Sequence, residues 1–259
     1  MKLINLKMNF DGKTILDNIN LSVKKGERIA ILGGNGCGKT TLLNIINQGL
    51  TATGGKIDYE EFHLTNQNRC YIMQHETLPD ELKTREALQL FAKDSFALRR
   101  GLALADKFGL TKNLTKRFSK LSGGEKQKLF LISSLQNSPD YFFLDEITTG
   151  LDYNSRDDLL NFLSGVFNES QSTLFLVTHY IEEALRLCQR FIIIKNGNIV
   201  EDLTKEQLIE QDYSFVRFNN GQECKILKTE IPELLSSHLK EIVSYERDYT
   251  KNLGMLISE

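Results

Sequence analysis

The sequence predicts an α/β fold built on a mostly parallel sheet with helices on its faces, and three observations predict it. Strand-like and helix-like segments alternate from Gly26 to Ile194. Tyr141-Phe142-Phe143-Leu144 is a continuous apolar run of strand length, as expected of a central strand buried on both faces. Between the strand-like run Arg28-Ile29-Ala30-Ile31-Leu32 and a segment with Leu42, Leu43, Ile45 and Ile46 at helical spacing lies Gly33-Gly34-Asn35-Gly36-Cys37-Gly38-Lys39-Thr40, which fits the phosphate-loop pattern G-x-x-x-x-G-K-[ST].

The bulk properties are those of a globular chain. At 259 residues it can bury a substantial core, and 41% hydrophobic and 25% charged residues are ordinary proportions. A net charge of -2 argues against a nucleic-acid binder that relies on a basic surface, so no nucleic-acid partner is expected. Apolar runs such as Phe191-Ile192-Ile193-Ile194 and Leu174-Phe175-Leu176-Val177 fall far short of the ~20 residues that span a bilayer. Met1-Lys2-Leu3-Ile4-Asn5 does not open a signal peptide, and the expectation is a cytoplasmic protein. Cys37, Cys70, Cys188 and Cys224 lack metal-ligand spacing and read as free thiols.

The elements follow in order. Ile4, Leu6, Met8 and Phe10 alternate with polar residues, Asp11-Gly12-Lys13 turns the chain, and Ile19, Leu21 and Val23 alternate again, so an antiparallel hairpin with one buried face is expected. Spacing alone puts Phe10 in the core; an aromatic at a strand end can also stack on a base. After the phosphate loop, a helix from Thr41 to Gln48 is ended by Gly49. Short strands are expected over Lys56 to Tyr59 and Cys70 to Met73, the second ended by Gln74. From Thr84 to Gly109 the pattern is helical, with stripes at Leu88, Phe91 and Ala92 and at Leu98, Leu102, Ala105 and Phe108, a helical insertion in the α/β chain. Leu121-Ser122-Gly123-Gly124-Glu125 opens a helix to about Gln136. Ser122 and Glu125 have capping-box spacing, but two glycines are poor in a first turn and leave the backbone bare for an anion. Beyond Leu144, Asp145 and Glu146 stand at the carboxyl end of a central strand, where α/β sheets bind ligands. After Gly150-Leu151-Asp152, Asn154 can cap a helix with Leu159, Leu160, Leu163, Val166 and Phe167 inward. Thr173 to Thr178 is a strand ending at His179, and Phe191 to Ile194 another. Further on, Ser214 to Phe218 and Glu223 to Lys228 suit a hairpin, and Pro232 to Val243 an amphipathic helix.

The chemistry these residues suit is that of a polyphosphate. Backbone N–H groups of the glycine loop and the adjoining helix N-terminus can cradle phosphates, Lys39 can reach the outer ones, and the Thr40 hydroxyl can ligate Mg²⁺. Asp145 would hold the same Mg²⁺, while Glu146 would polarise an attacking water.

Together the motifs resemble those of the nucleotide-binding subunits of ABC transporters, over roughly residues 1–205. Residues 33–40 match the Walker A loop, Gln74 the Q-loop, Leu121-Ser122-Gly123-Gly124-Glu125 the signature sequence, Tyr141 to Glu146 Walker B with its catalytic glutamate, Gly150-Leu151-Asp152 the D-loop and His179 the switch histidine. Six motifs in order outweigh the bland reading of each. The resemblance implies a P-loop NTPase core with a mostly parallel sheet, an N-terminal antiparallel β-subdomain, a helical subdomain over about 75–138, and an added C-terminal α+β extension over 206–259. It also implies an ATPase with ATP and Mg²⁺ as cofactors. Thr40, Gln74 and Asp145 would be its metal residues, and Glu146, His179 and Gln74 its catalytic ones. Gly33, Asn35, Gly36, Cys37, Gly38, Lys39, Thr40 and Thr41 would bind the nucleotide. Phe10 matches the position of an adenine-stacking aromatic that is usually Tyr, and Ile147 departs from the usual Pro after the glutamate, with altered local backbone expected.

In that family two subunits pack head to tail, so Ser122, Gly123 and Gly124 would meet the γ-phosphate of ATP held by a second subunit, in a homodimer or heterodimer, and Asp152 would link the two sites. A separate integral membrane permease is the further partner implied. It would dock on the helical insertion and hold the chain at the inner face of the plasma membrane. Thr178-His179-Tyr180-Ile181-Glu182-Glu183-Ala184 resembles the matching stretch of bacterial exporter subunits, which tilts the expectation toward export; import, or an ABC ATPase of translation or DNA repair with no permease, are the alternatives.

Overall fold

Three sheets and seven α-helices organise the residues that the computed structural model describes, 1–60, 62–66, 68–73, 77–210, 213–220, 222–227, 234 and 242–247. In the first sheet, β1 (Lys2–Phe10) and β2 (Lys13–Ser22) form an antiparallel hairpin. Asp11 and Gly12 close it at φ 47° and 80°, as a two-residue turn with matching twist requires. Simple alternation would bury Ile4, Leu6, Met8 and Phe10, yet the buried residues are Leu3, Leu6 and Met8. Asn5, at φ 49°, marks a register shift between Leu3 and Leu6, and this bulge changes the phase of the strand. Ile4 is consequently half-buried; a further register shift between Met8 and Asn9 precedes the turn, where Phe10 is 43% exposed rather than in the core. On the other edge of β1 lies β4 (Gly54–Asp58).

The second sheet places β5 (Arg69–Ile72), β6 (Tyr141–Asp145), β7 (Thr173–Val177), β3 (Arg28–Leu32), β8 (Arg190–Lys195) and β9 (Asn198–Thr204) side by side. The first five are parallel, and β9 runs antiparallel to β8 at the edge. Strand residues point alternately to opposite faces, so β6 sends Phe142 and Leu144 into one core and Tyr141 and Phe143 into another. Helices α5 (Tyr153–Glu169) and α6 (Ile181–Leu187) cover the first face. Helix α1 (Lys39–Ile46) and the antiparallel sheet cover the second. The stacked rings of Phe143 and Phe175, 5.2 Å apart, join neighbouring strands within that second core. This double cover explains why the central strands read as unbroken apolar runs.

The helical insertion is two helices where one continuous pattern was expected. Helix α2 (Thr84–Phe91) stops at Ala92, which is extended, and the Asp94 side chain then accepts from Ala97 N at 2.7 Å to start α3 (Ser95–Lys107). Both pack on α4 (Gly123–Leu135) around Ala87, Leu88, Ala105, Leu129 and Phe130. Gln136, fully buried at the end of α4, donates to Leu88 O at 3.0 Å, and a Cβ on Gly101 would lie 2.1 Å from its Oε1. Only glycine lets α3 approach this side chain so closely.

After α7 (Lys205–Glu210), a third sheet has the order β11 (Glu223–Leu227), β10 (Tyr213–Phe218), β12 (Ile242–Arg247), all antiparallel. The expected hairpin is β10 and β11. Most of the expected helix over 232–243 lies outside the described residues, and its last two, Ile242 and Val243, belong to β12, where Ile242 pairs with Phe218.

Candidate active site

Strand order brings the motif residues together. β6, β7 and β3 are neighbours, and their register sets Asp145 beside Val177 and Val177 beside Ile31. The segments that leave their carboxyl ends, Glu146, Thr178-His179 and Gly33 to Lys39, therefore emerge at one edge of the sheet, the edge at which α/β sheets bind ligands.

The phosphate loop is shaped by its glycines. Gly33 has φ 152° and a Cβ there would lie 2.3 Å from Ile194 O; Gly38 has φ 107° and a Cβ there would lie 2.6 Å from Leu16 Cδ2. Any side chain at either position would collide, so the pattern demands glycine for packing as well as for turning. Asn35 and Gly36 are exposed at the crest of the loop and Cys37 is half-buried. Helix α1 starts at Gly38 with no side-chain cap, and its first turn contains no acidic residue. Lys39 is only 6% exposed, and its ammonium donates to Gly33 O and Gly34 O, both at 2.9 Å. The charge is thus held across the loop rather than in solvent. Thr40 and Thr41 follow in the first turn. Leu16 packs on the loop from the hairpin whose end carries the exposed Phe10.

Asp145 and Glu146, adjacent in sequence, stand in different surroundings. Asp145 is buried at the end of β6, its Oδ1 has no hydrogen-bond partner among the described residues, and the Thr40 hydroxyl bonds to its carboxylate. Burial pushes its carboxyl above the ordinary range and the Glu146 charge adds to this, while the Thr40 bond, Lys39 and His179 act in the opposite direction. A buried oxygen lacking a partner, beside a hydroxyl, is a hard donor pair that suits Mg²⁺. Glu146 adopts φ 50°, which costs a residue with a side chain about 1–2 kcal/mol, and its N–H donates to Val177 O at 2.9 Å. Its Oε1 meets His179 Nε2. Ile147, in place of proline, is buried in the core beneath this turn.

At the start of α4 the capping box forms as spaced: Ser122 Oγ accepts from Glu125 N at 3.2 Å and Glu125 Oε2 from Ser122 N at 2.8 Å. Gly123 is exposed, and a Cβ on Gly124 would lie 3.1 Å from Leu151 Cδ2, so this helix end packs on the segment after Gly150. Gln127 adds a bond to Thr149 O at 3.1 Å. Asp152, not Asn154, caps α5, accepting from Ser155 N at 3.0 Å and the Ser155 hydroxyl at 2.7 Å, because the helix begins at Tyr153 and leaves Asp152 in extended backbone while Asn154 lies inside the first turn; these bonds hold its carboxyl below the ordinary range. Gln74 lies outside the described residues. Sequence reasoning missed Glu183, which is fully buried and accepts from Thr178 Oγ1 at 2.6 Å, Arg156 Nε at 2.9 Å and the Thr148 hydroxyl. The signal was present, since Glu183 stands four residues before the buried Leu187 on the inward face of α6.

Comparison with known proteins agrees with this geometry. The family model described as ABC transporter matches residues 16–149. The spermidine/putrescine import ATP-binding protein PotA of Fusobacterium nucleatum is 29% identical over 94% of this chain and 69% of its own length. The bicarbonate transport ATP-binding protein CmpD of Synechocystis is 32% identical over 74% of this chain and 72% of its own. The linearmycin resistance ATP-binding protein LnrL of Bacillus subtilis is 30% identical over 79% of this chain and 69% of its own. Among solved structures, an ATP-binding subunit of an ABC transporter superposes with a TM-score of 0.71 at 25% identity, covering 81% of this chain and 92% of its own. A dimeric cassette in a post-hydrolysis state with ADP and Pi gives 0.68 at 25% identity, covering 78% and 97%. With the motifs in order, the phosphate loop and paired carboxylates at one edge of the sheet, and a family model spanning half its length, the chain belongs to the ABC transporter family as an ATP-binding, ATP-hydrolysing cassette.

Proposed function

We propose that the cassette is the motor subunit of a transporter, paired head to tail with a second ATP-binding subunit and working on a separate membrane permease at the inner face of the plasma membrane. What supports the reading most is the convergence of Lys39, Asp145, Glu146 and His179 on one sheet edge, with His179 bonded to Glu146 and one Asp145 oxygen left without a partner. Residues 33–41 hold the phosphates of ATP, and Phe10 stacks on the base. Mg²⁺, held by Thr40 and Asp145 with Gln74 near it, would neutralise charge on the phosphates. Glu146 takes the proton of the attacking water, with one carboxylate oxygen anchored by His179, and His179 contacts the γ-phosphate. Ser122, Gly123 and Gly124 of the second subunit close the site, and Asp152 connects one site to the other. Closure is then a population shift toward the state that meets the γ-phosphate.

A permease surface is supported by a groove of about 340 Å³ between β5, α2 and α4, lined by Asn47, Arg69, Tyr71, Phe91, Phe130 and Asn137. Phe96, 72% exposed on the same insertion, adds apolar surface. Among the described residues no helix is long and apolar enough to cross a membrane. Export is supported by the stretch Thr178 to Ala184. Import is favoured by a different observation, that the match to the PotA protein runs over 94% of this chain and so takes in most of the residues after 205.

Two experiments test the proposal. Glu146→Gln is expected to cut ATP turnover by about 10²–10⁴-fold while ATP still holds a dimer in size-exclusion chromatography; undiminished turnover would remove Glu146 from the role. Affinity capture from membranes is expected to recover an integral membrane protein, and ribosomes or DNA in its place would overturn the transporter reading.

A further inference from the structure

The carboxylate of Glu183 is fully buried and bonds to three segments that flank the hydrolysis site. Thr148 stands two residues after Glu146, Thr178 immediately before His179, and Arg156 four residues after Asp152. All three donate to the one carboxylate of Glu183. Thr178 Oγ1 also accepts from Tyr180 N at 3.0 Å, so the backbone on both sides of His179 is tied to the same anchor. The Arg156 guanidinium lies over the Tyr180 ring, 3.7 Å from its centroid, and the Arg156 N–H donates to Asp152 O at 3.0 Å. A buried ion pair is weak evidence for stability, because desolvation offsets its attraction. Its directional bonds nevertheless fix the relative placement of whatever donates to it.

We propose that Glu183 is a positioning residue: through Thr148, Thr178 and Arg156 it holds the Glu146 turn, the His179 loop and the start of α5 in the mutual placement in which His179 meets Glu146. The inference rests on the roles assigned to Glu146 and His179 above. Its function is geometric, and the proton transfers belong to other groups.

Thr148→Val and Thr178→Val each remove one donor at nearly constant volume and leave the Glu183–Arg156 pair intact, so they decide the matter even where Glu183→Gln does not fold. Steady-state turnover and ATP KM are measured for both, alone and combined with His179→Ala, over incubations long enough to quantify residual rates. The expected result is a kcat lower by about tenfold or more with KM within about twofold, and no further loss on top of His179→Ala, as for residues that act as a unit. Wild-type kcat in both threonine variants, loss of ATP binding along with turnover, or losses that multiply with His179→Ala would overturn the inference. Full turnover in His179→Ala alone would instead overturn the role given to His179, a separate failure.

Discussion

Helices α1 and α4 both begin where the proposal places a phosphate, and their first turns are built in opposite ways. Helix α1 starts from a glycine at positive φ, lacks a side-chain cap and carries Lys39 in its first turn. Its free N–H groups and its cation therefore both favour an anion. Helix α4 is closed on itself: Ser122 and Glu125 satisfy each other's backbone, and Glu125 is further held by Asn113 and by Lys116 at 3.5 Å. Burial raises the Glu125 carboxyl, but the Ser122 backbone bond, Asn113 and Lys116 outweigh it and hold it below the ordinary range, so the first turn of α4 keeps a negative charge. One end is built to grip a polyphosphate alone. The other suits only the completion of a site whose phosphates are already held.

The largest expected effect breaks the grip at α1. Lys39→Ala removes a charge worth about 1.5–3 kcal/mol in charge-assisted bonds, so ATP affinity of the dilute chain should fall roughly 10- to 100-fold in a fluorescent-nucleotide titration. Affinity within twofold of wild type would place the grip elsewhere. Ser122→Ala should have a different profile. Loss of the cap costs about 1 kcal/mol, or about 2–4 °C in Tm, and turnover should drop while affinity of the dilute chain for ATP stays unchanged. Equal losses of affinity in the two variants would erase the distinction between the helix ends.

The smallest effect concerns Asp145, beside the α1 end. Its folded-state carboxyl is raised by burial, so its ionised form destabilises the fold; that cost is absent below the ordinary carboxylate pKa and grows as pH rises through the raised value. Asp145→Asn should accordingly raise Tm in metal-free buffer at pH 7, with the gain vanishing toward about pH 4. The same variant should lose the Tm increase that Mg²⁺ with ATP gives the wild type. A Tm at pH 7 equal to wild type would show that the orphaned oxygen costs the fold nothing.

Much of this site was legible residue by residue. Gly33, Gly38, Lys39 and Thr40 lie in a contiguous stretch whose geometry is local, and Ser122 and Glu125 cap a helix within three residues of each other. Spacing failed where a single residue altered the phase, as when the bulge at Asn5 buried Leu3 in place of Ile4. It failed again where a break is made by a cap, as at Asp94 between α2 and α3. Glu183 was passed over because an acid in the first turn of a short helix reads as a solvated end; its burial depends on Thr148 and Arg156, which lie 35 and 27 residues away in the chain.

By itself the sequence determined the class of the fold, the strand–loop–helix around the phosphate loop and the identity of the chemical groups, because each is set by periodicity or by backbone demands within about ten residues. Tertiary structure alone decided that β7 lies between β6 and β3, that His179 meets Glu146, that one oxygen of Asp145 is buried without a partner, and that Glu183 ties three segments together. Such contacts depend on strand order and on burial, which residues far apart in the chain determine only when they pack.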